Sequence, residues 1–332
     1  MTAPEETGDP EAVYDALSDE VGRVLVGRED VVEQLTVALF TRGHVLMEGV
    51  PGVAKTTMAT LFARASGLTH SRVQMTPDIL PADITGTHVY REATGEFDLQ
   101  RGPVFANVVV ADEVNRATPK TQSALLEAMQ ERNVTIEGET LPLPGPFMVV
   151  ATQNPIELEG TFELPEAQRD RFQFKIDVGL PDRAEERGVL DRFDDEPELG
   201  PEDIEAVVSP DEVRTAREAV ADVHVADPVK EYILDVVAAT RDSTAVEYGA
   251  SPRASLAFLD AGKARAALRG REYVIPGDVK ALARPVLRHR LVLSAEAELG
   301  ERSPDAVIGS LLDDVPTPSA DAEFAAASTA RD

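Results

Sequence analysis

Between His44 and Ala63 an apolar run gives way to a glycine-punctuated loop and then to a helical repeat, and few folds accept that order. His44-Val45-Leu46-Met47 reads as a strand, Gly49-Val50-Pro51-Gly52-Val53-Ala54-Lys55-Thr56 as the loop, and Thr56 through Ala63 as the opening of a helix. Glycines let successive backbone N–H groups turn inward, and a helix N-terminus adds the positive end of its dipole. With a lysine and hydroxyls at the helix start, this is the construction of a phosphate-binding loop. Gly49 to Thr57 would wrap a nucleotide triphosphate, Lys55 would reach the outer phosphates, and Thr56 would ligate magnesium. Ala54 stands where the G-x-x-x-x-G-K-[ST] pattern has its second glycine. A single methyl is a small intrusion and Gly52 still supplies flexibility, so the loop reads as a variant of the pattern.

The second signal is Val108-Val109-Val110-Ala111-Asp112-Glu113. A continuous apolar run suits a parallel strand buried on both faces, and two carboxylates at its end sit where open α/β sheets bind ligands. Asp112 would hold hydrated magnesium, and Glu113 would orient and deprotonate the attacking water. Phe147 to Thr152 is another buried strand, which places Asn154 at the same sheet edge. Loop and acidic pair are two separated halves of one chemistry, and together they predict an α/β core with ATP and Mg2+ as cofactors.

The remaining pattern fills in around that core. Val13, Leu17, Val21 and Val24 predict an N-terminal helix, Val31 to Phe40 a second one, and Thr118-Pro119 caps a third over Lys120–Arg132. Two hairpins are expected, over His88–Leu99 and Val134–Leu141, and a last strand around Phe174–Val178 ends at Gly179-Leu180-Pro181. From Asp182 onward the spacing is helical throughout. The expected organisation is an acidic extension and helix over 1–20, an α/β core over 21–181, a helical domain over 182–315 and a disordered tail over 316–332.

No apolar run approaches the roughly 18 residues of a membrane span, and the first residues lack the order of a signal peptide, so a soluble cytoplasmic protein without membrane insertion is expected. The net charge is -28, from 60 acidic against 32 basic residues. Such a surface repels nucleic acid and anionic membranes. An acid-rich chain this poor in lysine resembles proteins of salt-accumulating halophiles, where salt screens the self-repulsion.

Taken together, several motifs resemble those of the MoxR-type AAA+ ATPases, in a halophile-like, archaeal dress. They are Glu48 to Thr56, Ala111-Asp112-Glu113-Val114-Asn115-Arg116-Ala117, Pro119 to Glu131, Ala151-Thr152-Gln153-Asn154-Pro155, Leu164-Pro165-Glu166-Ala167-Gln168 and Ser251-Pro252-Arg253-Ala254. Ala54 is usual in that family. The resemblance implies a P-loop NTPase core of parallel sheet between helices, followed by a small all-α lid. It implies that Asn154 helps to position the hydrolytic water, that Arg171 is the finger reaching a neighbouring subunit's γ-phosphate, and that Arg253 is the lid arginine that senses nucleotide. Arg169 competes for the finger role, although Asp170-Arg171-Phe172 keeps the family's spacing. Further implications are magnesium-dependent ATP hydrolysis, a hexameric ring, a partner with a von Willebrand factor A domain, and chaperone-like remodelling of protein complexes. A nucleic-acid motor is the alternative, which the acidic bulk disfavours.

Overall fold

The computed structural model of the protein describes residues 8–92, 95–157 and 160–318. Five strands, β1 (Val45–Glu48), β2 (His70–Gln74), β3 (Val108–Asp112), β4 (Met148–Gln153) and β5 (Phe174–Asp177), form one sheet in the order β2-β3-β4-β1-β5. All neighbouring pairs are parallel, with Val45 beside both Val150 and Phe174, and Val110 beside Val150. Because every strand points the same way, all five C-terminal ends lie on one edge.

The apolar runs follow from burial on both faces. Val45, Met47, Val108, Val110, Met148 and Val150 pack on one side with the helices Pro10–Gly22, Glu29–Phe40 and Lys55–Ala65. Leu46, Val109, Ala111, Val149 and Ala151 pack on the other, against Leu125, Leu126 and Met129 of the helix Pro119–Glu131. The alternation is the period of two that a pleated strand imposes, and both sets are apolar because neither face meets water. Two antiparallel hairpins project from this core, Gly86–Arg91 with Glu96–Arg101 and Asn133–Ile136 with Glu139–Pro142.

The second half contains the helices Arg183–Asp195, Pro210–Asp222, Asp227–Asp242, Pro252–Ala267, Pro276–Leu287 and Pro304–Asp314. Five of these start at proline or with proline in the first turn, where the missing N–H costs no hydrogen bond. A short antiparallel pair, Val246–Tyr248 with Val292–Leu293, also lies here. It escapes a periodicity reading because two or three residues are too few to alternate. The N-terminal helix, read from sequence as part of an acidic extension, is anchored by Val13, Leu17 and Val21, all buried. From residue 319 the tail expected to be disordered lies outside the described residues, as do residues 1–7.

Candidate nucleotide-binding site

β1 delivers the chain to the loop, and the loop's two glycines serve different needs. At Gly49 a Cβ would stand 2.4 Å from the Val178 carbonyl oxygen and 3.1 Å from Cγ2 of the buried Val53, so the close passage of the β5 exit demands glycine. Gly52 has open space around it but a φ of +87°, so there the backbone angle demands it. Ala54 is the instructive position. Its φ is +63°, and it is the residue that caps the helix Lys55–Ala65. The alanine therefore costs not through the bulk of its methyl, as its sequence position suggests, but through a left-handed backbone, at about 1 kcal/mol for a non-glycine residue.

That helix start is unlike most others in this acid-rich chain. Ala54 gives it no side-chain cap and its first turn holds no acidic residue, whereas the helices starting at Glu29, Arg183, Pro210 and Pro276 carry carboxylates there. Its free N–H groups and dipole are left for an anion from outside the chain. Pro51 and Gly52 lie exposed on the loop and Thr57 is half-buried on the helix. Lys55 Nζ donates to the carbonyls of Gly49 at 2.5 Å and Val50 at 3.0 Å. Burial lowers its pKa, against the opposing pull of Asp112, Glu113, Glu48 and Glu157.

Asp112, only 3% exposed, ends β3 beside the loop. Its Oδ1 accepts from the hydroxyls of Thr56 at 2.5 Å and Thr152 at 2.8 Å, and its Oδ2 accepts from Arg72 Nε at 2.9 Å and Nη2 at 2.6 Å. Thr152 in turn accepts the backbone N–H of Glu113 at 3.0 Å, so one hydroxyl on β4 holds both the Asp112 carboxylate and the Glu113 backbone. Glu113 has a φ of +55°, and its Oε2 accepts from Gln74 Nε2 at 2.9 Å and Arg116 Nη1 at 3.0 Å. Asn154 follows β4, between the loop and the acidic pair, and is buried with its Oδ1 accepting from the Ile156 N–H at 3.2 Å. Sequence reasoning brought Lys55, Thr56, Asp112, Glu113 and Asn154 to this edge and missed Arg72, Gln74 and Thr152. The one signal available for Thr152 was a hydroxyl inside an otherwise apolar run.

Arg171 and Arg253 are elsewhere. Arg171 precedes β5 and donates from Nη1 to the Leu126 carbonyl at 2.8 Å, and Arg253 stands in the first turn of its helix, 3.5 Å from Asp170 Oδ2. The two arginines line one cleft of about 290 Å³ together with Thr41 and His44, which lead into β1. That is the N-terminal edge of the sheet. The four residues of β5 alone separate it from the loop by about 13 Å.

A phosphate loop after the first strand, an acidic pair after the third and a polar residue after the fourth of a parallel 2-3-4-1-5 sheet, with a helical domain following, define an ATPase of the AAA+ class. Residues 44–174 match the model described as "ATPase family associated with various cellular activities (AAA)", and residues 238–310 match an AAA lid domain. The chain is 48% identical over 312 residues to the protein named Chaperone MoxR1 of Mycobacterium tuberculosis, covering 91% of this chain and 82% of that one. It is 33% identical over 323 residues to Protein MoxR of Methylorubrum extorquens, covering 90% and 93%. The crystal structure of a Cytophaga hutchinsonii protein superposes with a TM-score of 0.86 at 39% identity, covering 95% of this chain and 98% of that one. The chain belongs to the MoxR family of AAA+ ATPases. Among the described residues no helix is long and apolar enough to cross a membrane.

Proposed function

We propose that the protein binds ATP with magnesium at Gly49–Thr57, hydrolyses it to ADP and phosphate at the junction between copies in a hexameric ring, and uses the turnover to remodel or mature partner complexes in the cytoplasm. The observation that carries this reading is the separation of the arginines from the loop. Arg171 and Arg253 occupy the sheet edge opposite their own phosphate loop, which supports their serving a nucleotide held by another copy.

The donor set fits the cofactor. Thr56 and Asp112 present a hydroxyl and a carboxylate oxygen 2.5 Å apart beside the loop, the hard oxygen ligands that magnesium takes alongside phosphates and water. When bound, the ion would neutralise charge on the transferred phosphoryl group. The chain's own residues do the rest. Lys55 exchanges the Gly49 and Val50 carbonyls for the outer phosphates, and the bare N-terminus of its helix adds N–H donors. Glu113 has Oε2 occupied by Gln74 and Arg116, which leaves Oε1 to take the proton of a water that Asn154 helps to orient. Arg171 and Arg253 of the adjacent copy then meet the charge that develops at the γ-phosphate. Partner proteins, including one with a von Willebrand factor A domain, belong to this reading through family likeness and the chaperone naming of the mycobacterial relative. The net charge of -28 supports protein rather than nucleic-acid clients.

Complementation tests the reading. A finger acting in trans is worth roughly 10³ to 10⁵ in turnover. Arg171→Ala and Lys55→Ala should each be inactive, and mixing them should restore activity, because one class of junction then contains an intact Arg171 and an intact loop. If mixed assemblies form and stay inactive at every ratio, while Arg169→Ala with Lys55→Ala complements, the finger is Arg169.

A further inference from the structure

The sheet edge opposite the loop carries a second concave surface, whose charge runs against the rest of the molecule. It encloses about 620 Å³. One wall is formed by core segments leading into β1 and β4, and the other by the helices Pro210–Asp222 and Pro252–Ala267. Arg42, Arg132, Arg217 and Lys263 line it, against two carboxylates, Glu218 and Asp260. A further arginine, Arg214, is already engaged by Asp211 at 2.6 Å. In a chain with 60 acidic and 32 basic residues, a cationic basin is the opposite of what chance would place there.

Among the described residues Arg42, Arg132 and Arg217 form no ion pair. Arg217 donates from Nε at 2.8 Å and from Nη2 to the Leu39 carbonyl, and Arg132 Nη2 reaches the Arg42 carbonyl at 3.5 Å. Burial, together with repulsion from Arg42 and Arg132, pushes Arg217 down to about 10. Arg132 is lowered too, first by burial and then by Arg42. Partly buried guanidiniums gathered at one cleft without a carboxylate partner among the described residues mark a place where an anion would gain. Apolar residues also line the cleft, and the half-buried Leu143 and Pro144 form a wall against which a carbon body can lie.

We propose that this cleft is a second ligand site, which takes a free organic phosphate with its oxyanion among Arg42, Arg132 and Arg217 and its apolar body against Leu143 and Pro144. Guanidinium N–H groups match the several oxygens of a phosphate, and three guanidiniums on one cleft favour a multivalent oxyanion over a lone carboxylate. The volume falls in the range of small-molecule sites, about 300 to 1,000 Å³. Arg42 and Arg132 stand on the core wall and Arg217 on the helix Pro210–Asp222, so the bound phosphate bridges the two walls, and that helix packs on Pro252–Ala267, whose first turn holds Arg253. The ligand would thus set the lid's freedom to move. The site adjoins the smaller cleft of Arg171 and Arg253 through Arg42 and Arg132, so phosphates of a nucleotide on a neighbouring copy are the competing source of the same chemistry.

The probe is pyrophosphate, titrated calorimetrically at one fixed chloride concentration into the Lys55→Ala protein, whose phosphate loop is silenced. Saturable binding is expected, weakened about tenfold by adding either Arg42→Gly or Arg217→Gln. Arg42→Gly guards against misfolding, since Arg42 sits at φ +59° and glycine relieves that angle while removing the charge. Absence of saturable heat, or an affinity that neither substitution changes, would overturn the proposal. To separate the sources, ATP turnover is measured for Arg217→Gln with the loop intact. It should match the wild type, and a loss as deep as that of Arg171→Ala would assign the cleft to a neighbour's nucleotide instead.

Discussion

Removing the carboxylate of Asp170 should release the lid from the segment that carries Arg171. That carboxylate gathers three groups from the helical half: Arg290 Nε on Oδ1 at 2.8 Å, Ser251 Oγ on Oδ2 at 2.9 Å, and Arg253 Nη1 near Oδ2 at 3.5 Å. Arg290 is the critical partner, because its side chain is only 3% exposed. Deleting one member of a buried ion pair costs roughly 3–5 kcal/mol, since the other charge is left uncompensated. Two facts hold Asp170→Ala to the lower end, about 3 kcal/mol. Asp170 keeps 16% exposure, and Arg290 also donates to the carbonyls of Phe172 at 2.7 Å and Gln173 at 3.1 Å. Arg253 is 52% exposed, so Arg253→Ala should cost less than about 1 kcal/mol. Urea unfolding followed by circular dichroism at fixed salt reads both, and the ordering is the test. Losses of equal size for the two variants would mean that backbone carbonyls alone satisfy Arg290 and that Asp170 is not a latch.

Three further outcomes are expected. Glu113→Gln should bind ATP normally and hydrolyse it more slowly by roughly 10² to 10⁴, because it loses a base and not a ligand; equal loss of binding and turnover in calorimetry and phosphate release would refute that role. Ala54→Gly should leave stability unchanged or raise it by up to about 1 kcal/mol, as relief of the left-handed angle is set against the entropy of glycine; a clear drop in the unfolding midpoint would show that Ala54 is not strained. Molar salt should raise the melting temperature of a chain with net charge -28. A melting curve that does not move between about 0.1 and 3 M salt, over which the Debye length shrinks severalfold, would remove the halophile reading.

What could be read from the sequence was whatever lies in one continuous stretch. The loop, the Asp112-Glu113 pair and both hairpins are local patterns, and each appears in the structure where the residues put it. What could not be read is whatever depends on strand order. Arg72 and Gln74 hold Asp112 and Glu113 because β2 pairs with β3, and nothing near residue 72 announces which strand will lie beside it. Asp170 is likewise bound by donors 81 and 120 residues further along. Motif matching gave Arg171 to a neighbouring subunit's γ-phosphate, and the parallel sheet carries Arg171, just before a strand, to the edge away from the loop. In the function proposed above, the direction of the strands is what divides the chemistry between copies. On that reading a single subunit can hold ATP but lacks the charge to complete its hydrolysis, and its assembly state becomes the control on turnover.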